Sequence, residues 1–437
     1  MSDIILSKPK LPAGVADAAS GILLGLSGGV DSIVLLQLLA SPPRPFPALP
    51  LRAIHVHHGL DPAADAWATQ CQARCDTLGV PLQIVHVAVT HASGLGREAA
   101  ARAVRHAAFV AALGDGEVLT LAHHRDDQAE TFLLRALRAS GPDGLAAMAH
   151  WRVHANGWLW RPLLTQPRAA LLAYANSHQL QWIEDPSNSD SSLDRNFLRQ
   201  HLMPLLRQRW PHAAAAFAHS AGLCAEATAL LDDEDGVALL AAGAGVDTLQ
   251  VSMLLAQPAP RRARMLRRWC AGLGLAPLPA AGIAAIEADL LQAAADAHAE
   301  FAWAGARVRR WRDLLHAGWV REPLPRDWTQ AWDGRAPLPL PAGGALQLNG
   351  VDQFDAQVRV HARQGGERIV LAGRAHSHAL KHVLQEHGVP PWLRERLPLL
   401  SSADGVVLAA ADRVNSGAFD AWLRNNQASV AWTPWER

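Results

Sequence analysis

The chain has 437 residues, half of them hydrophobic and 18% charged, which excludes a mainly disordered protein and points to two or three domains, since single cores rarely exceed about 250 residues. Its 40 basic and 40 acidic residues cancel, so no global field marks a nucleic-acid binder and any RNA-facing surface must be local. Four cysteines, Cys71, Cys75, Cys224 and Cys270, form no CxxC pair and suit a reducing compartment better than a disulfide framework; they read as core or incidental thiols.

The N-terminal stretch carries Asp3, Lys8 and Lys10 and no long apolar run, so neither a signal peptide nor a membrane span is read there and the expected location is cytoplasmic. From residue 21 to about 125, short apolar runs alternate with helical patterns, the order of a parallel sheet covered by helices. The predicted strands are Ile22–Ser27, Leu51–His57, Leu82–Val89 and Glu117–Ala122. Their carboxyl ends should line one crevice, the edge at which open α/β sheets bind ligands. Farther on, RPLLTQPRAALLAYANSHQL reads as a loop then a helix, QWIEDPSN as a strand then a turn, and RNFLRQHLMPLLRQRW as a helix. Alanine and leucine at helical spacing from Pro211 to about 325 predict a helical domain. A proline-rich stretch then precedes short strand-like pieces. The expected partition is 1–210, 211–325 and 330–437.

Ser27-Gly28-Gly29-Val30-Asp31-Ser32 follows the first strand and opens a helix. Glycines let the backbone approach an oxyanion, serines add hydroxyl donors, and the helix N-terminus aims free N–H groups at phosphate. The loop lacks the Gly-Lys-Ser/Thr ending of a Walker A motif. Asp31 is placed to help hold Mg²⁺, which binds through one or two carboxylates plus substrate oxygens. A second constellation, His123-His124-Arg125-Asp126-Asp127-Gln128-Ala129-Glu130-Thr131, closes the last strand and enters a helix. Helical phase puts His123, Asp127 and Glu130 on one face, toward the crevice. His57 and His58 follow the second strand, either bordering an adenine pocket or as a packed strand end.

SGGVDS resembles the pyrophosphate loop of the N-type ATP-pyrophosphatases, which split ATP into AMP and pyrophosphate while adenylating a carbonyl oxygen. The His123–Thr131 motif resembles that of the tRNA(Ile)-lysidine synthetases within that class. So do Glu98-x-x-Ala101-Arg102-x-x-Arg105, Gly141 to Leu145, Arg161-Pro162-Leu163, Glu184 to Asn188 and Arg195-Asn196-x-x-Arg199. Gly96-Arg97 departs from the Asn-Leu that usually precedes the family's Glu. The resemblance implies an adenine-nucleotide alpha-hydrolase-like α/β domain, then a helical domain and a small α+β C-terminal domain.

It also implies a reaction. ATP activates C2 of the wobble cytidine in the CAU-anticodon tRNA(Ile), Mg²⁺ assists, and the ε-amine of free L-lysine displaces AMP. Asp31, Asp127, Glu130 and Glu98 are the candidate catalytic carboxylates, and deprotonation of lysine falls to Asp127, Glu130 or Glu98. His123, Arg102, Arg105, Arg195 and Arg199 are candidate substrate or phosphate contacts. Arg261, Arg264 and Arg268 share one face of the helical domain as a candidate clamp. Arg363, Arg368, Arg374, Lys381, Arg394 and Arg396 form the densest basic stretch, matching the family's tRNA-binding C-terminal domain. The rival readings are a tRNA 2-thiolation enzyme, which usually needs a CxxC or cluster cysteines, and a non-catalytic tRNA-binding protein. Oligomeric state is left open, a homodimer being one option.

Overall fold

The computed structural model describes residues 6, 8–12, 14–59, 61–88, 97–293, 299–341, 343–374 and 376–433, apart from the side chains of residues 16, 97–99 and 188. The chain divides into two compact units, Met1–Asp232 and Asp233–Arg437.

In the first unit a short helix, α1 (Val15–Ala18), precedes β1 (Gly21–Gly25), whose residues are almost wholly buried. The elements α2 (Val30–Ala40), β2 (Leu51–His57), α3 (Ala64–Leu78), β3 (Leu82–His86), α4 (Arg97–Ala112), β4 (Glu117–Thr120) and α5 (Arg125–Leu137) follow in alternation. After α6 (Pro142–Leu145) come a hairpin, β5 (Trp151–His154) and β6 (Gly157–Trp160), then α7 (Arg168–Ser177). The sheet order is β3-β2-β1-β4-β6-β5, with only β5 antiparallel to its neighbour. Alternation along β1 sends Ile22 and Leu24 to one face, with Val34, Leu35, Trp160 and Leu171. Leu23 goes to the other, with Ile54, Phe109, Leu119 and Leu159. Because β2 and β4 flank β1 on opposite sides, the strand order reverses there, and the crevice opens beyond the ends of β1 and β4.

Two expectations change. The β5–β6 hairpin was not anticipated; it turns on Ala155 at φ 48° and Asn156, and Gly157 admits no side chain because a Cβ would lie 2.1 Å from the Glu117 carbonyl oxygen. The strand expected in QWIEDPSN is absent: Ile183 N–H donates to the Gly28 carbonyl at 2.9 Å, crossing the phosphate loop instead of joining the sheet. Pro186 then opens a 3₁₀ turn, Pro186–Ser189, capped by Asp185. Val89, the expected end of the third strand, lies outside the described residues. A last helical run joins α8 (Asp194–Phe197), a π turn over Leu198–Leu202 and α9 (Met203–Arg209). The long helix α10 (Ala213–Ala242) follows.

In the second unit, β7 (Gly243–Gly245), β8 (Thr248–Gln250), α11 (Val251–Leu255), α12 (Ala259–Gly272), α13 (Ala280–Ala285), β9 (Glu300–Trp303), β10 (Ala306–Trp311) and β11 (Leu314–Trp319) form one layer pair. The antiparallel order is β7-β8-β11-β10-β9, a sheet that the alanine-rich composition did not announce. Met265, Leu266 and Trp269 of α12 pack against Val308 and Leu315. Beyond it, β12 (Thr329–Trp332), β13 (Leu338–Pro339), β14 (Ala345–Asn349), β15 (Val358–His361), β16 (Arg368–Ile369), β17 (His378–Ala379), α14 (Leu380–Glu386), α15 (Pro391–Arg394), β18 (Leu399–Ser401), β19 (Val407–Ala410), β20 (Val414–Asn415), α16 (Gly417–Asn425) and β21 (Ser429–Thr433) complete the chain. Val360, Leu380, Leu399 and Phe419 centre its core.

Candidate active site

The turn from β1 into α2 is built around Gly28 and Ser32. Gly28 has φ +88°, and a Cβ there would lie 2.3 Å from Ile183 Cδ1, so only glycine fits. Gly28 N–H donates to Ser32 Oγ at 3.1 Å and Ser32 Oγ donates to the Gly29 carbonyl at 2.9 Å. Ser27 Oγ donates to Ser32 Oγ at 3.2 Å, while Val30 is buried beneath the helix start. The loop is thereby held open, with the first-turn amides of α2 and its dipole available to an anion. Asp31, in that first turn, has a carboxyl held above the ordinary range, chiefly by burial and further by Asp127, against the pull of His124. Its Oδ1 is buried without a hydrogen-bond partner. Among the described residues no group of three or more His, Cys, Asp or Glu could cage a metal. A hard, orphaned carboxylate oxygen beside a phosphate loop fits Mg²⁺ shared with substrate oxygens.

α5 begins at Arg125, with His124 as its extended N-cap. His124 Nδ1 accepts from the Asp127 amide at 3.3 Å, and the His124 amide donates to Asp127 Oδ2 at 3.0 Å, a reciprocal capping box. With Nδ1 accepting, the ring proton lies on Nε2. That nitrogen is 3.6 Å from Asp31 Oδ2 and 3.4 Å from Asp127 Oδ2, so His124 joins the phosphate loop to the second motif.

Asp127 and Glu130 are clamped by two arginines spaced four residues apart. Arg195 Nε donates to Glu130 Oε2 at 2.9 Å and its Nη2 to Asp127 Oδ1 at 3.3 Å. Arg199 Nε donates to Glu130 Oε1 at 2.8 Å and its Nη2 to Asp127 Oδ1 at 3.0 Å. Burial alone would raise the Asp127 carboxyl, but His124 and Arg195 outweigh it and hold it below the ordinary range. Burial likewise opposes the Arg199 charge, yet Glu130, Asp127 and Asp31 hold its pKa above the usual guanidinium range. Every carboxylate oxygen of Asp127 and Glu130 therefore has a protein donor.

The structure brings Asp31, Asp127, Glu130, Arg195 and Arg199 into one cluster; His123, close enough for its charge to act on Asp127, makes its own hydrogen bond elsewhere, its Nδ1 accepting from Arg161 Nε at 3.3 Å. Arg105, on α4, donates through Nε to His58 Nε2 at 3.2 Å. Burial and that cation push the His58 imidazole down to about 4. Arg102 lies on the same helix; Glu98 is its second residue, with a side chain outside the described set. In the second unit Arg261 and Arg264 both pair with Asp235, so their charge is spent internally. Arg363 reaches the Arg394 carbonyl at 3.4 Å, Arg368 holds Ser377, and Arg394 Nε donates to the Val389 carbonyl at 2.6 Å. Arg374 and Lys381 are exposed. Sequence reasoning quoted His124 and Arg161 within family motifs but gave neither a role, and it gave Ile183 none; the adjacent His pair and the residue after a hairpin strand were the available signals.

Residues 6–206 match the model of the PP-loop domain, residues 249–316 the TilS substrate binding domain and residues 358–432 the TilS substrate C-terminal domain. The tRNA(Ile)-lysidine synthase of Xanthomonas axonopodis pv. citri is 54% identical over 434 residues, covering 99% of this chain and 98% of that protein. The chain belongs to the tRNA(Ile)-lysidine synthase family. A second family member, from Xylella fastidiosa, is 48% identical over 97% of both chains. The solved U34-tRNA thiolase of Methanococcus maripaludis is similar to 48% of this chain and covers 74% of its own, at TM-score 0.41 and 18% identity. As a member of the lysidine synthase family the chain is a PP-loop enzyme of ligase type, with ATP as a substrate.

Proposed function

We propose that the chain joins L-lysine to C2 of the wobble cytidine of the CAU-anticodon tRNA(Ile), consuming ATP to AMP and pyrophosphate through an adenylated cytidine. The observation that carries this reading is the position of His124, whose Nε2 lies 3.6 Å from Asp31 Oδ2 and 3.4 Å from Asp127 Oδ2, so that the phosphate loop and the Asp127 and Glu130 cluster meet around one ring. In this reading Gly28, Gly29 and the first-turn amides of α2 hold the pyrophosphate as it leaves, acting as pre-aimed donors. Mg²⁺, bound with ATP, would neutralise phosphate charge, and Asp31 would hold it. Arg195 and Arg199 lock Asp127 and Glu130 into the wall of the site. Both Glu130 oxygens and both Asp127 oxygens already accept protein hydrogen bonds, so a lysine amine, which must lose a proton to attack, would compete with those donors at either residue, and Glu98 stays a candidate base on its motif alone.

The sulfur-transfer alternative loses ground on the thiols. Burial pushes Cys71 up to about 12 and Cys75 up to about 11, leaving almost no thiolate at neutral pH. We assign residues 1–210 to catalysis, 211–325 to substrate binding and 330–437 to tRNA binding, in the cytoplasm where tRNA and ATP meet. Helix α10 is long and apolar enough to cross a membrane by length and composition, but Asp232, Asp233, Glu234 and Asp235 interrupt it. Incubation with ATP labelled in the α-phosphate and the tRNA(Ile) transcript, without lysine, should leave labelled AMP on the RNA. RNA that stays unlabelled while ATP is consumed contradicts the adenylated intermediate.

A further inference from the structure

β4 and β6 are parallel neighbours, and their carboxyl ends deliver His123 and Arg161 side by side. Arg161 donates through Nε to His123 Nδ1 at 3.3 Å and through Nη1 to the Ala149 carbonyl at 2.7 Å. Since Nδ1 accepts, the His123 ring keeps its proton on Nε2. Burial, with Arg161, Arg195 and Arg102 nearby and only Asp127 opposing, pushes this imidazole down to about 3. It is therefore a neutral N–H donor at every working pH. The adjacent His124 is held in the same tautomer by the Asp127 amide, but its Nε2 lies between carboxylates, 3.4 Å from Asp127 Oδ2 and 3.6 Å from Asp31 Oδ2. Among the described residues no acceptor is bonded to the His123 Nε2 proton.

Arg161 is 6% exposed, and among the described residues no carboxylate pairs with it. Burial and the charges of Arg152, Arg102 and Arg135 press its pKa down to about 10. A buried guanidinium satisfied by a carbonyl and a neutral imidazole keeps its whole charge uncompensated. Charged side chains are seldom buried unpaired, and the planar arginine fork suits a phosphate oxygen.

We propose that Arg161 and His123 form a second anion site, separate from the phosphate loop, which binds one phosphate oxygen of the substrates, with Arg161 also orienting the His123 donor. This rests on the tRNA-ligating reading above. Two sources share the chemistry: the α-phosphate of ATP, which becomes that of AMP, and a backbone phosphodiester of the tRNA.

The test uses full-length Arg161→Gln, Arg161→Lys and His123→Phe. Binding of the tRNA(Ile) transcript is measured over a salt series, with ATP and AMP binding, lysine-transfer kcat and melting temperature alongside. If a phosphodiester occupies the site, Arg161→Gln flattens the salt dependence of tRNA binding by about one unit of slope. If the α-phosphate occupies it, the slope holds and affinity for ATP and AMP falls about tenfold or more. Either result supports the site and names its source. Arg161→Lys restores the affected binding but not kcat, because it keeps the charge and loses the fork that orients His123. A folded His123→Phe loses kcat. Unchanged slope and nucleotide affinity in Arg161→Gln, with only a lower melting temperature, would make Arg161 structural and overturn the proposal, as would full kcat in His123→Phe. Wild-type lysine transfer in the same buffers tests the reaction itself; the binding measurements test the anion site whichever way that result falls.

Discussion

Asp31 answers to two opposed demands. Its burial beside Asp127 favours the neutral carboxylic acid, whereas a phosphate site with Mg²⁺ needs the carboxylate. The native pKa is raised above the unfolded value of 3.8, so the native state binds this proton more tightly than the unfolded chain. Stability therefore falls as pH rises from about 3.8 through the raised native value, and the penalty is complete above it. Asp31→Asn should accordingly melt higher than wild type at pH 7, with the difference vanishing near pH 4, while pyrophosphate release drops on the order of 10²–10³-fold. Melting curves across pH 4–8 with a pyrophosphate assay check both halves. A variant less stable at pH 7, or one that retains turnover, contradicts this account of the residue.

At the scale of elements, the decisive cross-link runs from α5 to the α8–α9 run. Arg195 and Arg199 share one face at i, i+4 spacing, and the π turn between α8 and α9 widens the helix where they act. Glu130→Ala would leave two guanidiniums facing Asp127 alone. Breaking a buried pair costs about 3–5 kcal/mol, so the melting temperature should fall by on the order of 10 °C, with pyrophosphate release lost as well. A fall of only a degree or two would mean that the clamp contributes little. Much of this was legible: strand, glycine turn and helix are punctuated clearly at Ser27–Ser32, and the phase of Asp127 and Glu130 follows from α5. His123 was misphased because the helix starts at Arg125, after an extended cap, so the bridging histidine is His124. The arginines were legible as cations but not their partners, since sequence does not distinguish a substrate phosphate from a carboxylate packed across the fold. The β5–β6 hairpin was hidden in WRVHANGWLW because its two-residue turn falls on Ala155-Asn156, one residue before the Asn-Gly pair that usually marks a hairpin. The five-stranded sheet of the second unit escaped because strands of three to six residues sit among alanine-rich helices.

Over the whole molecule, chemistry and RNA binding are assigned to different stretches of a chain with no net charge. Of the basic set between Arg363 and Arg396, Arg363, Arg368 and Arg394 already serve the second unit's own backbone and side chains, whereas Arg374 and Lys381 are exposed. Arg374→Ala with Lys381→Ala should weaken tRNA binding and reduce its salt slope by about two, with ATP affinity and the rate at saturating tRNA unchanged. An unchanged slope would make this a solvated face. The most direct measurement of the central claim supplies the purified chain with ATP, Mg²⁺, labelled L-lysine and the CAU-anticodon tRNA(Ile) transcript, and follows label in RNA against AMP formed. The account predicts one lysine incorporated at the wobble position for each AMP released, dependent on ATP and on Asp31. AMP release without lysine in the RNA, or incorporation that survives Asp31→Ala, would contradict it.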